Sequence, residues 1–405
     1  MSGSMISVDK AQARILAGLQ PTSAEILPLA QAWGRVAAAD IRARLTQPPY
    51  DVSAMDGYAL RAADGVLGAK LRVIGSAPAG HPFDGAVGAG ETVRLFTGSV
   101  VPKGADAILL QEDTTRDGDT ATVDEAVTAG RHIRRAGQDF AQGDVLIAMG
   151  RKLTSRDIGL AASGNHPWIS VHRRPRIALL ATGDEIALPG EPIPPGGIVS
   201  SNAHALAALV RACGGTPIVL PIAADTTEAI SAVADAIPGM DMLVTTGGAS
   251  VGDHDLVIEG LSRRGLMVDF WKIAMRPGRP LMHGALGAVP VLGLPGNPVS
   301  ALVCAILFLV PALARLNGLP GERPPTTTAL LGAALAANDW RADHLRATIT
   351  PGPDGRLITT AFGVQDSAML RRLASADALI LRAPHAPALP AGAEIEIIRL
   401  DSLGI

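Results

Sequence analysis

The sequence predicts a multidomain α/β protein, with a central parallel α/β domain, a β-rich N-terminal insertion, an N-terminal mixed domain with helices, and a small C-terminal β-barrel. Three observations support this class. The 405 residues suggest two to three domains at roughly 150 residues each. Hydrophobic residues make up 48% and charged residues 18%, which is enough to bury several cores and excludes a disordered chain. Apolar runs alternate with helical patterns over residues 176–318, which indicates βαβ units.

Composition also excludes several classes of function. The net charge of −3, with only 6 Phe, 4 Trp and 2 Tyr, argues against nucleic-acid binding. Two cysteines, Cys213 and Cys304, exclude a disulfide scaffold and fit a reducing compartment. The longest apolar run, Val299–Leu313, is shorter than the roughly 18–20 residues that span a membrane. The first residues lack the apolar segment of a signal peptide. We therefore expect a cytoplasmic protein without a membrane segment.

The N-terminal part is predicted to be mixed. Residues 7–20 and 28–40 have helical apolar spacing, and Pro48 and Pro49 then interrupt it. Residues 1–45 and 131–172 are assigned to one domain, which includes a helix at 155–162. A β-rich domain at 46–130 is inserted into it, and its predicted strands are Leu71–Ile74, Glu91–Phe96, Ala107–Gln111 and Thr120–Val123.

The α/β domain is assigned to residues 173–320. Its predicted strands are Ile177–Ala181, Pro217–Ile222, Met242–Thr246, Val268–Ile273 and Val289–Leu294. Its predicted helices are Asn202–Cys213, Thr226–Ile237, Leu256–Arg264 and Val299–Leu316. Residues 321–405 are assigned to a barrel-like domain, with predicted strands Leu345–Ile349, Arg356–Thr360, Ala378–Leu381 and Ala393–Ile398.

Unusual loops follow several strands of the α/β domain. Ligands of such sheets bind beyond the carboxyl ends of the strands, so we expect these loops to form one crevice. Glycines there let backbone N–H groups approach a phosphate, although a purely structural Gly-rich turn is the alternative. The predicted substrate-binding residues of these loops are Thr182, Gly183, Asp184, Gly247, Gly248, Ser250, Gly252, Pro295, Gly296 and Asn297.

Carboxylates accompany these loops, at Asp184, Glu185, Asp225, Asp253 and Asp255. Carboxylates alone would repel a phosphate, whereas Mg²⁺ binds carboxylate and phosphate oxygens together. The sequence thus indicates a magnesium site, with Glu185, Asp225 and Asp255 as candidate ligands. The alternative is that Asp225 and Asp255 only cap the helices that follow them.

Three cations lie close together at Lys272, Arg276 and Arg279, where bidentate arginines and a lysine suit an oxyanion. The alternative is a solvated basic loop. No dinucleotide fingerprint, Walker A motif or metal-spaced histidine set is found, and His344 is interpreted as a loop or surface residue. Asp56 and the 131–139 segment resemble ordinary polar turns when judged on local chemistry.

Taken together, eight ordered blocks resemble the molybdenum-insertion enzymes of molybdenum-cofactor synthesis, the family related to the gephyrin E domain. The blocks are PPYDVSAMDGYA (48–59), RLFTGSVVPKGADAI (94–108), IRRAGQD (133–139), ATGDEI (181–186), SNAHAL (201–206), TTGGASVGDHD (245–255), FWKIAMRPGRP (270–280) and LPGNPVSA (294–301).

The resemblance implies a four-domain homodimer in which the N-terminal modules of one subunit face the α/β and C-terminal domains of the other. It implies Mg-dependent transfer of molybdenum from molybdate into the dithiolene of adenylylated molybdopterin, with release of AMP. Molybdopterin adenylyltransferase and molybdoenzyme maturation factors are implied partners. The catalytic residues carried over are Asp56, Glu185, Asp225, Asp255 and Lys272, and the further substrate-binding residues are Thr97, Asp139, Arg346 and Ser367.

One block departs from the family pattern, because the usual KPGKP reads RPGRP at 276–280. Arg276 and Arg279 keep the positive charge but present planar forks where lysines present compact ammonium groups. Two alternatives to the transferase remain open from the sequence. One is a non-catalytic molybdopterin-binding scaffold, and the other is a nucleotide-binding adenylyltransferase or hydrolase on the same α/β domain.

Overall fold

The computed structural model describes residues 5–247, 255–353 and 355–401, in two compact units. One unit combines residues 1–25, 34–38 and 170–405, and the other combines 26–33 and 39–169. Residues 5–25 therefore pack with the C-terminal half of the chain, whereas the sequence assigned them to the N-terminal domain. The four predicted domain boundaries otherwise remain predictions.

The first predicted helix is confirmed as α1 (Val8–Ala17), which begins where the Ser7 side chain accepts a hydrogen bond from the Lys10 N–H. The prediction of a second helix over 28–40 is wrong. That segment holds only a 3₁₀ turn at Leu29–Gln31, and Gly34 adopts a φ of 73°, which a continuing right-handed helix does not allow. The apolar spacing there comes from short extended stretches, not from a helical face.

The β-rich part of the chain extends from residue 24 to residue 147. A six-stranded sheet in the order β7-β4-β6-β5-β9-β8 dominates it, and the pairs β2–β11 and β3–β10 flank it in sequence. The strands are β1 (Ala24–Pro28), β2 (Ile41–Arg42), β3 (Val52–Ser53), β4 (Gly57–Leu60), β5 (Lys70–Ala77), β6 (Glu91–Leu95), β7 (Ala107–Leu110), β8 (Thr114–Asp117), β9 (Thr120–Val123), β10 (Ile133–Arg134) and β11 (Val145–Ile147). All four predicted strands of the insertion are present.

The α/β domain contains one six-stranded sheet in the order β16-β13-β17-β21-β20-β18. The first four strands are parallel, as predicted, whereas β20 is antiparallel to both of its neighbours and was not predicted. Helix α2 (Ser155–Ser163) precedes this domain in the chain. The strands that follow it are β12 (Trp168–His172), β13 (Arg176–Ala181), β14 (Ile186–Ala187), β15 (Ile198–Val199), β16 (Thr216–Val219), β17 (Met242–Thr246), β18 (Leu266–Phe270), β19 (Met275–Arg276), β20 (Met282–Leu286) and β21 (Val289–Leu294).

Helices cover both faces of this sheet. Alternate residues of β13 enter two cores, since Ile177 and Leu179 pack in one and Ala178 and Leu180 in the other. The helices are α3 (Asn202–Ala212), α4 (Thr227–Ala232), α5 (Leu256–Ser262), α6 (Pro298–Cys304) and α7 (Val310–Leu316), with a π-helical segment at Ala305–Leu309 joining the last two.

The helical stretch Pro298–Leu316 has 19 residues and is long and apolar enough to cross a membrane. This helix extends beyond the apolar run Val299–Leu313, so length alone does not exclude a membrane span. Burial distinguishes a core helix from a membrane helix better than length does, and 78% of the most apolar part of this helix is buried inside the protein. Such burial is typical of the core helix of a soluble protein.

The C-terminal domain is a closed five-stranded barrel, in which β23 pairs with both β24 and β25 and closes the ring. Strand β19 of the α/β domain adds to it beside β23. Its elements are β22 (Thr326–Leu331), β23 (Ala342–Pro351), β24 (Leu357–Ala361), α8 (Leu370–Ala374), β25 (Ala378–Arg382) and β26 (Glu394–Arg399). The interpretation of His344 as a surface residue is wrong, because it lies buried in β23.

Candidate functional site

The carboxyl ends of β13, β17 and β21 lie side by side, with Ala181 opposite Thr246 and Thr246 opposite Leu294. The loops that follow these strands therefore meet at one edge of the sheet. The chain order places β16 on one side of β13 and β17 on the other, so this edge includes the point where the strand order reverses, the usual ligand crevice of such sheets.

Glycine allows the close approach of two of these loops. Gly247 has a φ of 92°, and a Cβ placed on it would lie 2.4 Å from the carbonyl oxygen of Thr182. A Cβ on Gly296 would in turn lie 3.5 Å from the Cα of Gly247. Gly247 is thus required both for its backbone conformation and for its contact with the first loop.

One amide side chain, which was not predicted from the sequence to be a site residue, connects the end of β17 with the loop that follows β21. Asn202, at the start of α3, donates hydrogen bonds to Thr246 Oγ1 at 2.8 Å and to the carbonyl oxygen of Gly296 at 2.7 Å. The Thr246 hydroxyl itself donates to the carbonyl of Pro295 at 3.2 Å. The signal was present, because Asn202 lies in the SNAHAL block, but nothing in the local sequence distinguishes it from a helix-capping asparagine.

A cavity of about 950 Å³ lies at this edge, between the α/β domain and the barrel. Its size is in the upper part of the range found for small-molecule sites. The lining residues include several that were predicted and several serines and apolar residues that were not: Glu185, Ile198, Val199, Ser200, Ser201, Asn202, Asp225, Thr246, Gly247, Pro280, Pro295, Gly296, Asn297, Ser300, Ala368 and Leu370.

The carboxylates of Glu185 and Asp225 line this cavity, and that of Asp184 contacts Asp225. Asp184 Oδ1 accepts a hydrogen bond from the backbone N–H of Asp225 at 3.0 Å. Burial raises the pKa of Asp225, a hydrogen bond from the backbone of Asp184 offsets part of this rise, and the charges of Asp184 and Glu185 raise it further. In the described parts of the chain, no arginine or lysine forms an ion pair with these three carboxylates.

These groups are oxygen donors of the kind that Mg²⁺ prefers, and their charge is not neutralised by a neighbouring cation. The described residues nevertheless contain no preassembled group of three metal-binding side chains. Such an arrangement fits an ion held by one or two carboxylates that completes its coordination with ligand oxygens and water. Glu185 and Asp225 are the carboxylates that line the cavity and would hold it.

Asp255, the third predicted metal ligand, caps a helix. Its carboxylate accepts hydrogen bonds from the backbone N–H groups of Val257 and Ile258, both at 3.1 Å, and so caps helix α5. Burial raises its pKa despite these two bonds. The capping alternative thus accounts for its position. The predicted residues Gly248, Ser250, Gly252 and Asp253 lie outside the described residues.

The basic segment 272–279 separates into different environments. The ammonium of Lys272 lies over the ring of Trp271, at 4.1 Å from its centroid. Arg276 and Arg279 are both exposed, and Arg276 also forms an ion pair with the barrel residue Asp343. The carboxyl end of β18 points in the same direction as that of β21, which brings Lys272 to the ligand-binding edge of the sheet.

Two predicted residues come from the barrel. Arg346 is only 2% exposed, and its guanidinium has one described hydrogen bond, to the carbonyl oxygen of Asp366 at 3.1 Å. Burial lowers its pKa, although an arginine remains protonated at neutral pH. The Ser367 hydroxyl accepts a hydrogen bond from Asn297 Nδ2 at 3.0 Å, which places it at the start of α6.

In the other unit, the structure brings together two further predicted residues. Asp56 Oδ1 accepts hydrogen bonds from both the backbone N–H and the hydroxyl of Thr97, at 2.7 and 2.8 Å. The backbone N–H of Thr97 is the main reason that the pKa of Asp56 is lowered. Asp139 is exposed, and its backbone N–H donates to the carbonyl of Gln47 at 3.1 Å. Asp56 and Thr97 therefore form a polar pair, whereas the described contact of Asp139 is with Gln47.

Comparison with known proteins defines the class first. Residues 6–164 match the family model "MoeA N-terminal region (domain I and II)", residues 178–315 match "Probable molybdopterin binding domain", and residues 328–400 match "MoeA C-terminal region (domain IV)". The crystal structure of a molybdopterin biosynthesis MoeA protein from Pyrococcus horikosii superposes with a TM-score of 0.86 at 28% identity, covering 98% of this chain and 99% of that one. The chain is a multidomain protein of the MoeA fold.

Two curated relatives narrow this class to a family. The molybdopterin molybdenumtransferase of Haemophilus influenzae is 33% identical over 97% of this chain and 98% of its own length. Molybdopterin molybdenumtransferase 2 of Mycobacterium tuberculosis is 35% identical over 92% of this chain and 94% of its own. The chain belongs to the molybdopterin molybdenumtransferase family of molybdenum-cofactor biosynthesis and is a transferase, as the resemblance implied.

Proposed function

We propose that this enzyme inserts molybdenum from molybdate into the dithiolene of adenylylated molybdopterin, in a Mg²⁺-dependent reaction that releases AMP. The observation that supports this most is the cavity of about 950 Å³, which is lined by the carboxylates of Glu185 and Asp225 and by residues of the barrel, the domain that carries the buried Arg346. A substrate with a phosphate-bearing part and a metal-accepting part needs these two chemically different environments.

Glu185 and Asp225 would hold Mg²⁺ at the adenylate end, and the ion would neutralise phosphate charge and polarise the bond that breaks. Gly247 and Asn297 line the same cavity, where the backbone N–H of Gly247 and the side-chain amide of Asn297 would bind phosphate oxygens. Asp184 would act on this end through its contact with Asp225. Asp255 would support the site by fixing the start of α5 rather than by binding metal.

Molybdate is a dianion and needs cationic and hydroxyl donors, without a lining of acceptors only. Arg346 and Ser367 supply a guanidinium and a hydroxyl from the barrel, and Lys272 and Arg279 supply positive charge from the α/β domain. A buried guanidinium with one described partner retains donors for an oxyanion, which is the strongest reason for placing molybdate beside Arg346.

We further propose that the enzyme is a cytoplasmic homodimer, in which Asp56, Thr97 and Asp139 serve the reaction from the N-terminal modules. The support is the family resemblance, together with the paired Asp56 and Thr97 side chains. Transfer of substrate from a molybdopterin adenylyltransferase, and of product to maturation factors of molybdoenzymes, follows from the same proposal.

The test is to incubate the purified chain with adenylylated molybdopterin, Mg²⁺ and molybdate, and to measure AMP and metal-loaded cofactor. We expect molybdate-stimulated AMP release that falls on chelation and returns with Mg²⁺. Glu185→Gln should reduce turnover sharply, whereas Glu228→Gln, at a carboxylate 77% exposed on α4, should not. Binding without AMP release would indicate a scaffold, and AMP release independent of molybdate would indicate a hydrolase.

A further inference from the structure

Arg276 is held within the protein by two carboxylates. Its Nε donates to Asp343 Oδ1 at 2.9 Å, and a terminal nitrogen pairs with the other oxygen of the same carboxylate. Its remaining terminal nitrogen lies 3.7 Å from Asp339. The Asp343 side chain is only 5% exposed, so the pair is partly shielded from water. One face of this guanidinium is therefore paired within the protein, although the Arg276 side chain as a whole is 48% exposed.

The backbone on either side of this pair is also joined. Strand β19 pairs in parallel with β23, with Met275 opposite Ala342 and Arg276 opposite Asp343. The N–H of Ala342 donates to the carbonyl of Ala274 at 2.9 Å. The buried ring of His344 hydrogen-bonds to the backbone of Arg276. The α/β domain and the barrel are thus joined by a short stretch of sheet, and the Arg276–Asp343 ion pair joins the side chains of its two strands.

The same barrel strand carries Arg346, three residues after Asp343. The backbone N–H of Arg346 donates to Gln365 Oε1 at 3.0 Å, and its guanidinium bonds to Asp366. Ser367, which follows Asp366, contacts the α/β domain, because its carbonyl accepts a hydrogen bond from the N–H of Val299 at 3.0 Å. The barrel is therefore attached on two sides of Arg346.

We propose that Arg276 and Asp343 are positioning residues, whose ion pair holds β23 and thereby sets the place of Arg346 against the 366–370 segment that borders the cavity, and that Arg276 does not bind the oxyanion itself. This explains the arginine at position 276, because a planar fork binds both oxygens of Asp343 where a lysine makes one contact. The inference rests on the proposed function for its catalytic consequence, but the ion pair can be tested without it.

Asp343→Asn is the decisive variant. It removes the ion pair but leaves the Arg276 charge in place. Because small displacements of a binding group are costly, positioning predicts that the molybdate concentration for half-maximal turnover rises by about tenfold or more. Arg276→Gln should have a similar effect, Arg276→Lys a smaller one, and the double variant Arg276→Gln/Asp343→Asn no more than the worse single variant.

Direct oxyanion binding by Arg276 predicts a different pattern. Asp343→Asn would then free the guanidinium and leave the molybdate requirement unchanged or lower, while Arg276→Gln alone would raise it. That result, or no effect of either variant, would overturn the proposal. Asp235→Asn is the matched control, since it breaks a surface ion pair with Arg264 in the same unit, at a carboxylate 69% exposed.

Thermal unfolding tests the ion pair independently of activity. Each single variant should lower the melting temperature, and the double variant should lower it by less than the sum of the two. Additive losses would show that the two side chains do not interact and would overturn the proposal. If the wild-type chain shows no molybdate-dependent turnover, the proposed function fails, while this measurement still decides whether Arg276 and Asp343 form the predicted attachment.

Discussion

At the scale of single residues, Asn202 shows how one amide can organise a site. Asn202→Ala removes the donors to Thr246 and Gly296 and leaves those acceptors unpaired at the cavity. We expect a loss of roughly 1–3 kcal/mol in the free energy of unfolding, together with weaker substrate binding. Denaturant titration and the KM for adenylylated substrate measure the two effects.

Asn317 provides the control for this prediction. Its Nδ2 also donates to two carbonyl oxygens, of Cys213 and Leu313, but it does not line the cavity. Asn317→Ala should reduce stability comparably while the folded enzyme keeps its KM. If both variants change KM alike, the effect of Asn202 is a general loss of stability and the assignment to the site is incorrect.

Asp225 should show a conflict between stability and activity. Because burial raises its pKa in the folded chain, the ionised form destabilises the fold at neutral pH, and this penalty disappears as the pH falls below the ordinary value of 3.8. Asp225→Asn should therefore raise the melting temperature at pH 7 without Mg²⁺, and the gain should vanish in acid. Turnover should fall by more than about a hundredfold if this carboxylate holds the metal. A variant that is active and no more stable would contradict both expectations.

Sequence reasoning identified which residue types gather at the sheet edge, because a strand followed by a polar loop predicts where that loop lies. It could not assign partners to them. Asp255 has the same sequence features as a metal ligand and as a helix cap, and only the bonds to Val257 and Ile258 distinguish the two. The ion pair of Arg276 could not be predicted from the sequence either, since its partner Asp343 lies 67 residues away in another domain.

At the scale of elements, the approach of the loops after β13 and β17 depends on one glycine. Gly247→Ala places a Cβ 2.4 Å from the Thr182 carbonyl and also strains a backbone with a φ of 92°. The strain alone costs about 1–2 kcal/mol, and the displaced loop adds to that cost and reduces turnover. Gly287→Ala, in the β20–β21 hairpin, has the same kind of strain at a φ of 60° but meets nothing within 4 Å. Equal losses of stability and activity in both variants would show that the close approach is unimportant.

Strands that are buried on both faces form continuous apolar runs and were predicted well from the sequence, including β13, β17 and β21. The 28–40 segment and β20 were not. In the first, proline and glycine interrupt a spacing that only resembles a helical face. In the second, the run at 282–286 includes Gly284, whose added Cβ would lie 2.4 Å from the carbonyl of Met267, so the close packing of neighbouring strands replaces the usual β-branched pattern.

At the scale of the whole molecule, we predict that two subunits complete each active site. Asp56→Ala and Glu185→Ala should each be inactive alone, and mixing them with subunit exchange should restore activity in one site of each heterodimer. Random exchange makes about half of the dimers heterodimeric, so roughly a quarter of wild-type activity is the upper limit for a two-fold dimer. No recovery after demonstrated exchange would show that Asp56 acts within its own chain or outside the site.

The position of α1 also has a consequence for synthesis on the ribosome. Gln12 Nε2 donates to the carbonyl of Leu307, 295 residues later, and Ile15 and Leu19 pack in the same core as the helix around Leu307. At a translation rate of about 5–20 residues per second, this first helix waits roughly 15–60 s for its binding surface. The second unit, which combines residues 26–33 and 39–169, can fold during that interval. Completion of the α/β core is therefore delayed until about three-quarters of the 405 residues have emerged, and α1 remains accessible to chaperones until then.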